Sequence, residues 1–267
     1  MENSISPLTI SGLFTVVLYL LVFATALLSL RQSQTHQPKL NLLLLTAIAV
    51  HGLFLHWVID SEQSQNVSLF NMMSLTNWLA MLILLINSLK RDVNLMIAFI
   101  AITSIVSTGL GVLYPGQALM QLKGQWASLL HIFAAISATG FLLLAAVQSL
   151  FLIYADKKLR SHPTDVPNFL PPLQSLESFL FQLLYFGFIL MSVALIIAIF
   201  LLQDHFANQP LHKSVLATLA WLTFAGLIAG HLIKGWRGVT AAKWTLTGFV
   251  LLSLGYFGSK TVIELIL

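Results

Sequence analysis

Apolar runs long enough to cross a bilayer recur through this chain of 267 residues and leave little sequence between them. They lie at about 9–30, 40–59, 68–89, 93–114, 126–154, 173–203, 211–233 and 244–266, and a helix needs about 20 residues to span the hydrocarbon. Lipid offers backbone groups no water, so each run must satisfy its hydrogen bonds within a helix. The expected fold is all-α: a polytopic transmembrane helix bundle of about eight spans, with no soluble domain of any size. Composition agrees, since only 8% of residues are charged, against about 25% in soluble domains. The fifth and sixth runs exceed the minimum and should tilt or project past the membrane. The first run carries Glu2 and no Lys or Arg before it, and is too long for a signal-peptide core, so it is expected to be a retained span.

The basic residues are spread in pairs and triplets between the runs. There is no basic stripe, so nucleic acid is not the expected partner despite a pI near 9.4. Arg31, Lys39, Lys90, Arg91, Lys157, Lys158, Arg160, Lys234, Arg237 and Lys243 occupy the connectors after runs 1, 3, 5 and 7, ten of the 13 Lys and Arg. The positive-inside rule then puts these connectors in the cytoplasm and both termini on the outer, periplasmic side. The longest of them, Ala155 to Pro172, holds Pro163, Pro167, Pro171 and Pro172, which forbid a continuous helix and make a semi-rigid link.

Cysteine is absent, which removes disulfides, thiolate metal sites and covalent c-type haem attachment on this chain. Eight histidines remain as the candidate ligands. His36, His162 and His205 fall in connectors and should be solvated. His51, His56, His131 and His231 fall within runs, with His212 at the start of the seventh. Ionisable groups inside a span usually face the bundle interior and mark function. By helical rise, His51 lies near mid-membrane, His131 about one and a half turns below the outer surface, and His231 near the cytoplasmic face. Two readings follow: imidazoles that hydrogen-bond across helices as packing, or axial ligands to haem iron. A zinc site has no HExxH spacing to support it.

Other polar residues divide the same way. Thr103, Ser104, Ser107, Thr108 and Gly109 in the fourth run suit close helix packing. Asn71, Ser74 and Trp78 share one stripe of the third, fit for a cavity lining or for interhelical hydrogen bonds. Ala135 and Ala138 share the face of His131. No GxSxG, intramembrane carboxylate pair or phosphate-cradling loop is present, so an enzyme is not expected.

A set of motifs in order carries a resemblance. These are Asn66-Val67-Ser68-Leu69, Leu130-His131-Ile132, Pro171-Pro172-Leu173 with Glu177, the run from Lys213 through Trp221, Gly230-His231, Gly235-Trp236-Arg237-Gly238, Gly248-Phe249 and Tyr256-Phe257-Gly258. Together they resemble the cytochrome c assembly membrane family, which includes CcsA-type and HemX-like haem-handling proteins. The resemblance implies a multi-pass protein of the bacterial inner membrane. It implies two N-terminal helices over 1–65 and a six-helix assembly-type domain over 66–267. It also implies binding of haem b, with His51, His131 and His231 as cofactor ligands and axial metal ligands. His131 matches the family's first external histidine, Lys213 the lysine just after its tryptophan-rich segment, and His231 falls about two residues from its membrane histidine. The family's tryptophan-rich outer segment is missing between Asp204 and Lys213, and no histidine follows the last run. Expected partners are membrane lipids, haem and another membrane protein. The competing expectation is a haem-free accessory or regulatory subunit of an ion transporter. The topology has a direct check: reporters fused after Arg91 and after Asn208 should report cytoplasmic and external locations respectively, and the reverse pattern removes the orientation.

Overall fold

The computed structural model describes residues 7–32, 38–161, 171–202 and 211–266. Among them, eight helices are long and apolar enough to cross a membrane. They are α1 Pro7–Gln32, α2 Pro38–Ile59, α3 Leu69–Ser88, α4 Asn94–Leu113, α5 Trp126–Ser161, α6 Leu173–Leu201, α7 Leu211–Lys234 and α8 Gly238–Ser253, which continues through π-helical turns at Leu254–Gly258 and Val262–Ile266. Pro7 and Pro38 open α1 and α2, and Pro172 caps α6, positions where a missing amide donor leaves no gap. His36, His162, His205, Pro163, Pro167 and the Asp204–Pro210 segment lie outside the described residues.

Two helices depart from the extents read off the apolar runs. α5 continues to Ser161, seven residues past the run, with its last turns stabilised by an Arg160–Asp156 pair at 2.8 Å. At 36 residues it is about 54 Å long, well beyond the hydrocarbon thickness. α8 starts at Gly238 instead of 244, so Lys243 sits on a helix and not in a connector. Hydropathy marks where lipid begins, while the helix begins where the backbone turn allows.

The chain divides into two compact units, Met1–Gly124 and Gln125–Leu267. The first holds α1–α4. Here α2 and α4 each pack against both α1 and α3, which closes the four into a ring. Its α3–α4 seam is polar at one level. Asn77 Nδ2 donates to the Thr103 carbonyl at 3.1 Å and to Ser107 Oγ at 3.0 Å, and Thr103 Oγ1 donates back to Asn77 Oδ1 at 3.0 Å. Trp78 Nε1 reaches the Ile48 carbonyl of α2 at 2.8 Å. The stripe of Ser74 and Trp78 is therefore used for interhelical bonds, as is the Thr103–Thr108 stretch.

One end of this unit carries a clasp. Strands β1 (Gln65–Asn66) and β2 (Leu119–Met120) pair antiparallel. Asn66 Nδ2 donates to the Gly116 carbonyl, Val67 N to the Ala118 carbonyl at 2.9 Å, and Leu122 N to Gln65 Oε1 at 3.1 Å, while the Lys123 ammonium meets the Glu62 carbonyl. The α2–α3 connector is thereby tied to the segment following α4. Asn66 is the pivot, since its side chain also accepts from Ser68 N and its carbonyl accepts from Asn71.

The second unit holds α5–α8, with α6 and α8 each packed against both α5 and α7. Gly187 of α6 meets Leu142 of α5 so closely that an added Cβ would stand 2.7 Å from its side chain. Gln148 Nε2 donates to the Leu176 carbonyl at 2.9 Å, and Trp221 Nε1 to Ser192 Oγ at 2.9 Å. A double-mutant cycle on Asn77→Ala and Ser107→Ala should give a coupling of about 0.5–1 kcal/mol in detergent unfolding, the usual worth of an interhelical hydrogen bond in membrane proteins. A coupling near zero would show that the seam is held by packing alone.

Candidate functional site

The three histidines singled out from the sequence occupy different surroundings. His51, on α2 of the first unit, is fully buried, and both ring nitrogens are taken. Nδ1 pairs with Tyr19 Oη of α1 at 2.9 Å, and Nε2 with Ser74 Oγ of α3 at 2.8 Å. Ser74 Oγ pairs in turn with Thr108 Oγ1 of α4 at 3.1 Å. One polar side chain from each of four helices thus meets in a single buried node. Hydroxyls donate or accept, so a neutral imidazole is satisfied here in either tautomer. Iron ligation by His51 requires it to release a hydroxyl partner.

His131 and His231 belong to the second unit, and both dock on α6. The His131 Nδ1–H donates to the Ala194 carbonyl at 2.9 Å. The His231 ring stacks on Phe181 with centroids 3.7 Å apart, and its Nδ1–H donates to the Trp236 carbonyl at 2.7 Å. A carbonyl can only accept, so both neutral rings are Nδ1–H tautomers with an unprotonated Nε2. Neither Nε2 has a hydrogen-bond partner among the described residues. Metal-binding histidines characteristically anchor one ring nitrogen on a carbonyl or carboxylate and present the other. The donor set therefore fits haem iron at either ring. Phe181 and Ala194 stand 13 residues apart on one helix, about 20 Å by helical rise, so the two imidazoles cannot share one iron. They define separate levels along α6. Ala138 is buried in packing and Ala135 half-buried, so only the latter is open beside His131.

The Gly-Trp-Arg-Gly motif explains itself locally. Gly235 takes φ +66° and Gly238 φ +59°, values that favour glycine, and between them the chain reverses out of α7 into α8. Gly235 N bonds to the His231 carbonyl and Trp236 N to the Gly230 carbonyl, both at 3.1 Å. The Trp236 ring lies on Gly230, where a Cβ would come within 2.3 Å of it, and is backed by Trp244 at 5.1 Å. The sequence signalled the motif but not that it folds onto His231.

The remaining histidines take local partners. His56 is exposed and pairs with Asp60 at 3.0 Å, and His212 Nε2 pairs with Ser259 Oγ at 3.0 Å. At that end of the unit, Lys213 lies 5.5 Å from the Tyr256 ring and Lys260 bonds Glu264 at 3.0 Å. Among the described residues no group of three or more His, Cys, Asp or Glu is placed to hold a bare metal ion.

Eight membrane-length helices among the described residues define a multi-pass integral membrane protein in contact with lipid. The chain belongs to the Cytochrome C assembly protein family, whose pattern matches residues 40–267. The match takes in α2 as well as the region from 66 onward. The inner membrane protein YpjD of Escherichia coli K12 is 28% identical over 207 residues, which covers 78% of this chain and 79% of that protein. An uncharacterised 28.8 kDa protein of Azospirillum brasilense is 30% identical over 147 residues, covering 54% of each. No solved structure matches. The chain is a multi-pass protein of the bacterial inner membrane.

The node predicts a specific phenotype. His51→Leu removes the ring that joins Tyr19 Oη to Ser74 Oγ, leaves Ser74 only its bond to Thr108, and should destabilise the protein by about 1–3 kcal/mol. Thermal unfolding in detergent measures this; an unchanged midpoint would show that the hydroxyls find other partners.

Proposed function

We propose that this protein binds and handles haem in the inner membrane, as a non-catalytic member of its family, with both termini on the periplasmic side. The observation that carries the reading is the pair of imidazoles, His131 and His231, each anchored through Nδ1 on a backbone carbonyl and each with Nε2 unengaged. Membership of an assembly family supports haem as the ligand. Haem supplies an iron that takes imidazole axially and two propionates that seek an aqueous face. Here His131 and His231 are the ligands favoured, at different levels of the second unit. His51 is favoured as a ligand only where the node opens.

His51 also supports a second reading. A histidine with both nitrogens satisfied serves packing, and a protein whose histidines all served packing would be a haem-free accessory subunit of a membrane transporter. Absorption spectra decide between the two. Protein purified in detergent after growth with a haem precursor should show a Soret band. His131→Ala and His231→Ala should each remove the haem at their own level, lowering haem per protein by about half where both levels are filled, and the double variant should lose it altogether, with membrane abundance little changed. Haem-free wild-type protein, even after haem is added, removes the haem reading in favour of the accessory one.

A further inference from the structure

The turn between α7 and α8 does more than join two helices, because its backbone makes the one polar contact to the His231 ring among the described residues. The Trp236 carbonyl accepts the Nδ1–H at 2.7 Å. That carbonyl is held from three sides. Gly235 at φ +66° and Gly238 at φ +59° bracket it, the Trp236 amide is tied to the Gly230 carbonyl, and the Trp236 ring is seated on Gly230. On its other side the imidazole lies flat on Phe181. Without the carbonyl, a neutral imidazole in this apolar setting would take either tautomer and rotate about its last side-chain bond. With it, one tautomer and one ring orientation remain.

We propose that Gly230, Gly235 and Trp236 form a positioning element that locks His231 as the Nδ1–H tautomer and keeps Nε2 available to a ligand. As a statement about ligand binding this rests on the haem reading; as a statement about the ring it does not. The distinction makes the test separable. Asn tolerates the left-handed backbone region that Gly235 adopts, whereas the β-branched Val does not. Gly235→Asn should therefore preserve the turn, and Gly235→Val should open it.

The experiment is nitrogen NMR on full-length protein labelled with ¹⁵N-histidine, with His231→Ala used to assign the signal. In wild type and Gly235→Asn, His231 should show a protonated Nδ1 and an unprotonated Nε2. In Gly235→Val and Gly230→Val the two tautomers should mix. Haem affinity titrated in a His131→Ala background should follow the tautomer, falling about 10- to 100-fold in the Val variants and recovering in Gly235→Asn, the usual consequence of losing the partner behind a metal ligand. An Nε2–H tautomer in wild type, or a Val variant whose tautomer is unchanged while the protein stays folded, overturns the proposal. The expected tautomer in a wild-type protein that takes up no haem would support the positioning element and remove the haem reading.

Discussion

In hydrocarbon a polar side chain has no water to fall back on, so the buried polar groups here bond to their own helix or to a neighbouring one, with Ser68 Oγ as an exception. That constraint organises both units. In the first, the intramembrane groups find partners from within: Tyr19, His51, Ser74 and Thr108 come from four successive helices and satisfy each other, and Asn77 joins α3 to α4 in the same way. A node of this kind does what apolar packing between helices does poorly. Leucine against leucine is hardly better than leucine against lipid, whereas a stranded hydroxyl is worse everywhere except in its one bonded geometry. The node therefore specifies how the four helices meet.

The second unit meets the constraint only halfway. His131 and His231 each spend one nitrogen on a backbone carbonyl and leave the other unengaged among the described residues. Helix α6 is the common platform, offering the Ala194 carbonyl near one end and the Phe181 ring near the other. The contrast with His51 is chemical. Hydroxyl partners adapt to either tautomer and leave an imidazole symmetric in role, while a carbonyl partner dictates which nitrogen carries the proton.

The number and rough extent of the helices were legible in the sequence because hydropathy reports burial in lipid directly. The ends were less so. α5 and α8 both overrun their apolar runs, since a helix stabilised by its own backbone bonds has no reason to stop at the lipid boundary. The β1–β2 clasp was not legible at all: two-residue strands have no period, and the pairing spans more than 50 residues of sequence. Counting residues at 1.5 Å each put His131 and His231 at different levels, and they dock 13 residues apart along α6. What counting cannot supply is the rotation of each helix, and rotation decides partners. His51 is fully buried, yet it is turned toward three hydroxyl-bearing neighbours, and no single-residue pattern on α2 announces them.

The same limitation explains why glycines said more about the second site than the histidine did. A histidine in a span is ambiguous between packing and ligation. A glycine whose Cβ would strike an aromatic ring, followed by two at positive φ, admits few explanations other than a tight turn pressed back on its own helix. Gly230 fixes where the Trp236 ring lies, and Gly235 and Gly238 fix the turn that carries its carbonyl. The imidazole follows from these as the group that the carbonyl faces. A chain needing only to cross the membrane again could use any short polar connector. One that must hold a ring nitrogen at a set orientation needs a connector whose backbone has a single shape, and this turn has three glycines and a buttressed tryptophan to give it one.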